Sequence, residues 1–353
     1  MLTIARPDDC HLHLRDGAWL AHTVAASAAW CGRAVVMPNL SPPVTGKEEV
    51  EAYRRRILAA RPANSDFTPL MTLYLTDKTA PQDIRAAADL ICGVKLYPAG
   101  ATTHAAAGVR HIEALDPVLE ELTRLDLPLL VHGETVDPET DIYDREQRFI
   151  DRHLRGIVER HPKLRVVVEH ITTREAVAFV RDHGPHLAAT ITPQHLRYTR
   201  NDLLAGGLRP HFYCAPILKR AAHRNALQEI VAAGHRRFFL GTDSAPHPRR
   251  EKESACGCAG CYSAPTALAL YADTFEALGI LDRLAGFAAH FGADFYRLER
   301  NEEKLELERR PWTVPERYFF GDDEIIPLGA GERLNWCLRE CPAKSRATGG
   351  GSG

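Results

Sequence analysis

The most constraining feature of this chain is a recurrence. Short apolar runs rich in β-branched residues return eight times, separated by longer stretches with helical periodicity. The candidate strands are residues 2–4 leading into 10–14, then 34–37, 68–75, 93–96, 127–132, 165–171, 187–191 and 237–241. Helical patterns occupy 47–60, 81–90, 115–125, 145–160, 174–183 and 220–233, with two more at 265–278 and 281–291. Strands alternating with helices pair in parallel through right-handed crossovers. A closed α/β barrel of the (β/α)8 TIM type buries eight such strands without leaving an edge. A doubly wound open sheet is the rival, but no glycine-rich dinucleotide fingerprint follows the first strand. We therefore expect one barrel domain over 1–345, with a C-terminal extension from about residue 302 packed on it. Residues 346–353 read as a flexible tail or a cloning scar.

Charge and composition remove several classes of function. Lys and Arg nearly balance Asp and Glu, for a formal net charge of −2, and no basic stripe marks a nucleic-acid surface. No apolar run reaches the length of a membrane span. The first residues lack the basic start and apolar core of a signal peptide, so a cytoplasmic protein is expected. Nine cysteines, an odd number in a chain without a secretory signal, are expected to be free thiols.

Seventeen histidines stand out, several directly after the apolar runs. In such a barrel the site lies at the C-terminal ends of the strands. The first candidate strand ends in His11-Leu12-His13, the fourth carries Lys95, the fifth ends in His132-Gly133-Glu134, the sixth in Glu169-His170 and the eighth in Thr242-Asp243. Residues two apart on a strand share a face, so His11 and His13 can grip one ion, and Arg15 joins them if the strand continues that far. Alone, His-x-His is a weak signal, and a single strand-end histidine is usually a packing residue. Together, four histidines and an aspartate at corresponding ends point to a metal, because stranded buried imidazoles cost free energy that apolar residues avoid. A lysine in such a mouth is repelled by cations unless it pairs with an acid or reacts with carbon dioxide to give an anionic carbamate.

The stretches DCHLHLR (9–15), MPNL (37–40), GVKLYP (93–98), TITPQHL (190–196) and KESACGCAGC (252–261) together resemble the single-function bacterial dihydroorotases of the amidohydrolase superfamily. The similarity runs from about residue 3 to about 335, with the motifs in family order. It implies a hydrolase acting on cyclic amides: zinc-dependent, reversible cyclisation of N-carbamoyl-L-aspartate to (S)-dihydroorotate, the third step of de novo pyrimidine (UMP) biosynthesis. It implies two zinc ions per subunit, one on His11, His13, Lys95 and Asp243 and one on Lys95, His132 and His170. An N6-carboxylated Lys95 and a hydroxide would bridge them. Asp243 would shuttle the proton. Arg15, Asn39 and His247 match positions that hold the substrate carboxylate, and the backbone around Leu218 and Ala259 matches positions that contact the ring amide. Thr102 and Thr103 match a mobile loop over the substrate, although Gly100 and the stretch HAAAG at 104–108 set this loop apart. A homodimer with no nucleic-acid or membrane partner is implied as well.

Three alternatives stay open on sequence. Another cyclic amidohydrolase (hydantoinase, dihydropyrimidinase or allantoinase) shares the metal ligands but has no use for Arg15 as an α-carboxylate clamp. An inactive dihydroorotase-like assembly partner should have lost ligands. A mononuclear deaminase barrel needs a catalytic glutamate, for which Glu134 and Glu169 are placed. The Cys256, Cys258 and Cys261 cluster reads either as a structural zinc site short of a fourth ligand or, preferably, as a thiol-rich loop of the family.

Overall fold

The computed structural model describes residues 1–255 and 257–339. The strands are β1 (Leu2–Ala5), β2 (Asp8–Leu12), β3 (Arg33–Val36), β4 (Thr68–Leu75), β5 (Ile91–Leu96), β6 (Leu129–Val131), β7 (Val166–Val168), β8 (Leu187–Ile191), β9 (Phe238–Leu240), β10 (Lys304–Thr313), β11 (Tyr318–Phe320), β12 (Asp323–Ile325) and β13 (Arg333–Leu338). Strands β2 to β9 form one eight-stranded sheet in sequence order, and its neighbours pair in parallel. The sheet closes between its ends through a parallel bridge from Leu12 to Ser244. There Asp243 N donates to His11 O at 2.8 Å and His13 N to Ser244 O at 3.0 Å. This is the expected (β/α)8 barrel, with the helices outside.

Residues 2–4 do not lead into the first barrel strand. β1 is a separate strand that pairs antiparallel with β10, and β10 pairs antiparallel with β13. The C-terminal extension is therefore a three-stranded sheet built partly from the N-terminus. Asp273, on the helix Ala267–Ala277, ties β13 to the barrel by accepting from Asn335 N at 3.1 Å and Trp336 N at 3.2 Å.

Most predicted helices form within a residue or two of their expected ends. The pattern at 145–160 is a continuous rod with a π-turn, Ile150–Leu154, at its centre. The helix Leu20–Ala28 was not predicted; its alanine-rich sequence hides the period, yet Leu20, Thr23, Val24, Ser27 and Ala28 mark one buried stripe. Among the described residues no helix is long and apolar enough to cross a membrane. The seven described cysteines are free thiols. Cys256 and residues 340–353, including the tail expected at 346–353, lie outside the described residues.

The barrel interior is filled from below the mouth by Cys10, Val35, Met37, Leu130, Val167, Ala188 and Phe239, with Tyr296 among them. Two bulges prepare the layer above. Between Asp9 and Leu12, β2 carries one residue more than β3, and near Cys92, β5 carries one more than β4. An extra residue reverses the inside–outside alternation. Cys10 thus stays in the lower layer while His11 still faces the cavity above it.

Candidate metal and substrate site

The cavity at the C-terminal mouth of the barrel is walled by His11, His13, His132, His170 and Asp243, and by Arg15, Asn39, Thr102, Thr103 and Ala259. Ten of the thirteen residues singled out on sequence therefore meet there. Lys95 lies buried at the end of β5, its Nζ 5.0 Å from the centre of the Tyr97 ring and without a hydrogen-bond partner among the described residues. His247 stands behind Arg15. Leu218 does not reach the cavity wall; its side chain is buried in a second apolar cluster with Cys214 and Ile217. Ala215, from the same loop, and Tyr97, Ala245 and Gly260 line the cavity and were not anticipated as wall residues.

Several candidate site positions have unusual backbone. His170 and Asp243 follow β7 and β9 with φ of 41° and 47°, and Arg15 has φ of 60°. Non-glycine residues adopt this left-handed conformation at a cost of about 1–3 kcal/mol, which surrounding structure must offset. Strand β2 ends at Leu12, so Arg15 reaches the cavity from a turn and not, as alternation suggested, along a strand. After His170 the chain is clamped by buried Glu146. Its carboxylate accepts from Thr172 N at 2.9 Å and Thr172 Oγ1 at 2.7 Å, and from Thr173 N at 2.9 Å and Thr173 Oγ1 at 2.5 Å.

Each of three imidazoles has one nitrogen committed to a neighbour. His13 Nδ1 donates to Asn39 Oδ1 at 2.7 Å, and His132 Nε2 donates to Glu134 Oε2 at 3.0 Å. His11 Nδ1 lies 2.9 Å from Glu169 Oε2, off the line of a well-formed hydrogen bond. Glu169 Oε2 also accepts from Thr190 Oγ1 at 2.6 Å, and Thr190 Oγ1 accepts from His170 N at 2.7 Å. The two glutamates that kept a deaminase reading open are thus both occupied as histidine partners, the arrangement that orients metal-binding imidazoles.

The remaining ring nitrogens converge. His13 Nε2 is 3.1 Å and His11 Nε2 3.4 Å from the same oxygen, Asp243 Oδ1. Burial pushes His13 down to about 4, against the pull of Asp243, and pushes His170 well below its ordinary range. A neutral His13 that donates through Nδ1 presents a lone pair at Nε2, facing the lone pairs of a carboxylate. A metal cation between them would turn that contact into a pair of ligand bonds. Burial alone would raise the Asp243 carboxyl, but the closely placed His11 and His13 rings hold it well below the usual carboxylate range. Burial lowers the Lys95 ammonium to about 8, although Glu169 and Asp243 attract its charge. His11 Nε2, Lys95 Nζ and His170 Nδ1 are among the buried polar atoms without a hydrogen-bond partner among the described residues, and ligand atoms of His11, His13 and Asp243 lie within 4.8 Å of one another. This donor set fits metal.

Arg15 is held ready beside it: Nε donates to Pro246 O at 3.0 Å and a terminal nitrogen to His247 Nε2 at 2.8 Å. Burial and the Arg15 charge push His247 down to about 2, which keeps it a neutral acceptor. The TITPQHL stretch has no ligand of its own but frames the site. Thr192 caps the short helix Pro193–Arg197, Gln194 Nε2 donates to Thr242 O at 3.3 Å, and His195 Nε2 donates to Pro216 O at 2.8 Å. Cys261 and Cys214 are buried behind the wall, whereas Cys258 is partly exposed near Glu251.

No protein-family model matches the chain. Among curated proteins, it is 55% identical over 344 residues to the dihydroorotase of Pseudomonas aeruginosa, covering 97% of this chain and 99% of that one. It is 57% identical over 341 residues to the dihydroorotase of Halorhodospira halophila, covering 96% and 99%. The crystal structure of dihydroorotase from Campylobacter jejuni superposes with a TM-score of 0.88 at 38% identity, covering 96% of this chain and 97% of that one. That of Saccharomyces cerevisiae dihydroorotase in complex with 5-fluoroorotic acid gives 0.88 at 32%, covering 96% and 98%. An L-hydantoinase from Arthrobacter aurescens reaches 0.81 at only 16% identity, covering 96% and 83%, a likeness of fold alone. With more than half of its residues identical to these relatives over nearly the whole of both chains, the chain belongs to the dihydroorotase family.

Proposed function

We propose that this chain is a cyclic-amide hydrolase that interconverts N-carbamoyl-L-aspartate and (S)-dihydroorotate in pyrimidine biosynthesis. We place its metal site on His11, His13, Lys95, His132, His170 and Asp243. The observation that carries the metal site is the lone pair of His13 Nε2 aimed at Asp243 Oδ1 from 3.1 Å, inside a ring of imidazoles already tied back to Asn39, Glu134 and Glu169. A Lys95 amine lowered to about 8 is neutral often enough to take up carbon dioxide, and the carbamate would supply an anionic ligand shared by two zinc ions. Zinc bound here supplies an activated water near neutral pH and polarises the amide carbonyl.

The chain's own residues do the rest. Asp243, held ionised, takes the proton released as water attacks the ring carbonyl and returns it to the leaving ring nitrogen. In the biosynthetic direction it takes the proton from the carbamoyl nitrogen. Arg15, with its Nε and one terminal N–H anchored, offers its remaining N–H groups as a planar fork to the carboxylate that substrate and product share. Asn39 directs its amide NH2 towards Thr103 O at 3.4 Å, and Thr103 Oγ1 donates to Ala259 O at 3.4 Å. The 99–108 loop is thereby drawn across the mouth, where it excludes water. A cytoplasmic homodimer follows from the family resemblance.

Metal stoichiometry measured beside dihydroorotate hydrolysis, for wild type and Lys95→Ala, tests this reading. We expect two zinc ions and activity in the wild type, and loss of both bridging and activity in the variant. A fully active Lys95→Ala protein with two metals refutes the bridge. Turnover of hydantoin or allantoin in preference to dihydroorotate refutes the substrate.

A further inference from the structure

The wall of the cavity holds one buried hydroxyl that neither metal binding nor the carboxylate clamp employs. Tyr97 is 1% exposed and lines the cavity, and its Oη has no hydrogen-bond partner among the described residues. Its ring is fixed from several sides. It stacks on Tyr74 with centroids 5.1 Å apart and planes at 27°, lies 6.1 Å from the His132 ring, and has Lys95 Nζ 5.0 Å from its centre. Phenylalanine would fill the same space without stranding a polar group, and burying an unpaired hydroxyl costs free energy that the fold did not need to spend.

Most other polar groups in the wall already have work. Arg15 is anchored to Pro246 and His247, Asn39 to His13 and Thr103, and Thr103 to Ala259. Thr102 belongs to the partly exposed 99–108 loop, whereas Tyr97 follows directly on β5, two residues past Lys95. A neutral phenol is a hydrogen-bond donor at working pH. It stands on the His132 and Lys95 side of the cavity, next to two of the residues assigned above to the metal site.

We infer that Tyr97 is a catalytic residue whose hydroxyl donates a hydrogen bond to the ring-carbonyl oxygen as that oxygen gains negative charge. Such a donor acts on the transition state more than on the flat ground-state amide, so its removal lowers kcat and leaves KM nearly unchanged. The inference rests on the hydrolytic reading proposed above.

Tyr97→Phe is the test, with four readouts: kinetics of dihydroorotate hydrolysis, zinc per subunit, Tm, and affinity for 5-fluoroorotic acid as a planar ground-state probe. We expect kcat to fall on the order of 10²-fold, with KM, zinc content and probe affinity as in wild type, and Tm equal or higher. Wild-type kcat in the variant overturns the inference. So does a rise in KM matched by weaker probe binding, which makes Tyr97 a ground-state contact, and so does loss of zinc, which makes it a support for Lys95. An inactive wild type overturns both readings, whereas an active wild type with an unimpaired variant overturns this one alone.

Discussion

Gly241, directly before Thr242 and Asp243, leaves no room for a side chain. A Cβ added there would lie 2.8 Å from both Cβ and Cγ2 of Thr190 on β8, and 3.0 Å from Cβ of His11 on β2. Carbon atoms pack at about 3.5–4.0 Å, so the shortfall approaches a full ångström on one side. Neither neighbour is a flexible tip. Thr190 is held by its bonds to Glu169 Oε2 at 2.6 Å and from His170 N at 2.7 Å, and His11 Cβ is fixed to its backbone. Gly241→Ala must therefore push β9 away from the strands on either side. Overpacking of this kind costs about 1–3 kcal/mol, and a kilocalorie shifts Tm by about 1–2 °C in a chain of this length. We expect Tm to fall by about 1–5 °C. Because the displaced side chains are His11 and the Thr190–Glu169 pair, zinc affinity should fall about 10–100-fold. Gly184→Ala is the control, since a Cβ there meets nothing within 4 Å and should change stability by less than about 0.5 kcal/mol. Differential scanning calorimetry and zinc competition on the three proteins give the answer. A Gly241→Ala protein indistinguishable from Gly184→Ala in both would show that the seam tolerates a methyl group and that the steric reasoning is wrong.

Three other outcomes are expected. Arg15→Ala should raise KM for dihydroorotate about 10–100-fold, the loss of a charge-assisted pair, with zinc content intact; wild-type kinetics would remove Arg15 from the substrate site. Glu146→Gln replaces one acceptor oxygen by a donor facing the Thr172 and Thr173 donors, and should lower Tm by several degrees for an unmet bond of about 1–3 kcal/mol; an unchanged Tm would show that this clamp holds nothing. Burial pushes His195 down to about 4 from an ordinary 6.5, so its contribution is full above pH 6.5 and is lost as pH falls through 4. Metal-free wild type should therefore lose on the order of 3 kcal/mol more stability over that window than His195→Gln, measured by denaturant midpoints; parallel pH profiles would refute it.

The sequence exposed what repeats and what is chemically rare. Eight apolar runs define a barrel because each must bury both faces, and periodicity reports that directly. Four histidines at the ends of three such runs are conspicuous for the same reason that they are costly. Hidden from the sequence was whatever depends on local departure from the repeat. Residues 2–4 look like the start of a barrel strand, but their partner lies about three hundred residues away in β10, and no local pattern records that pairing. Strict alternation puts Cys10 and His11 on opposite faces, whereas the bulge in β2 brings both inside at different heights. Arg15 lines the cavity, but a left-handed turn and not a continued strand carries it there. The backbone around Leu218 was the expected contact; from that loop Ala215 lines the cavity, and His195 on Pro216 O fixes the loop.

The closing of the barrel and the building of the metal site are one structural problem. β2 and β9 are the only adjacent barrel strands among the described residues joined by an isolated bridge in place of a ladder. Asp9 takes over the missing bonds. Its Oδ1 accepts from His11 N at 3.1 Å and Thr242 N at 2.9 Å, and its Oδ2 from Thr242 Oγ1 at 2.6 Å. A regular ladder would have required extended backbone at Asp243, whose φ of 47° turns its carboxylate towards His11 and His13 instead. The side-chain clasp closes the seam while leaving the backbone free to make that turn, at the cost of a carboxylate whose burial raises it to about 6. An aspartate next to a His-x-His pair is thus a hinge pin, and its carboxylate is spent on the seam and not on the metal.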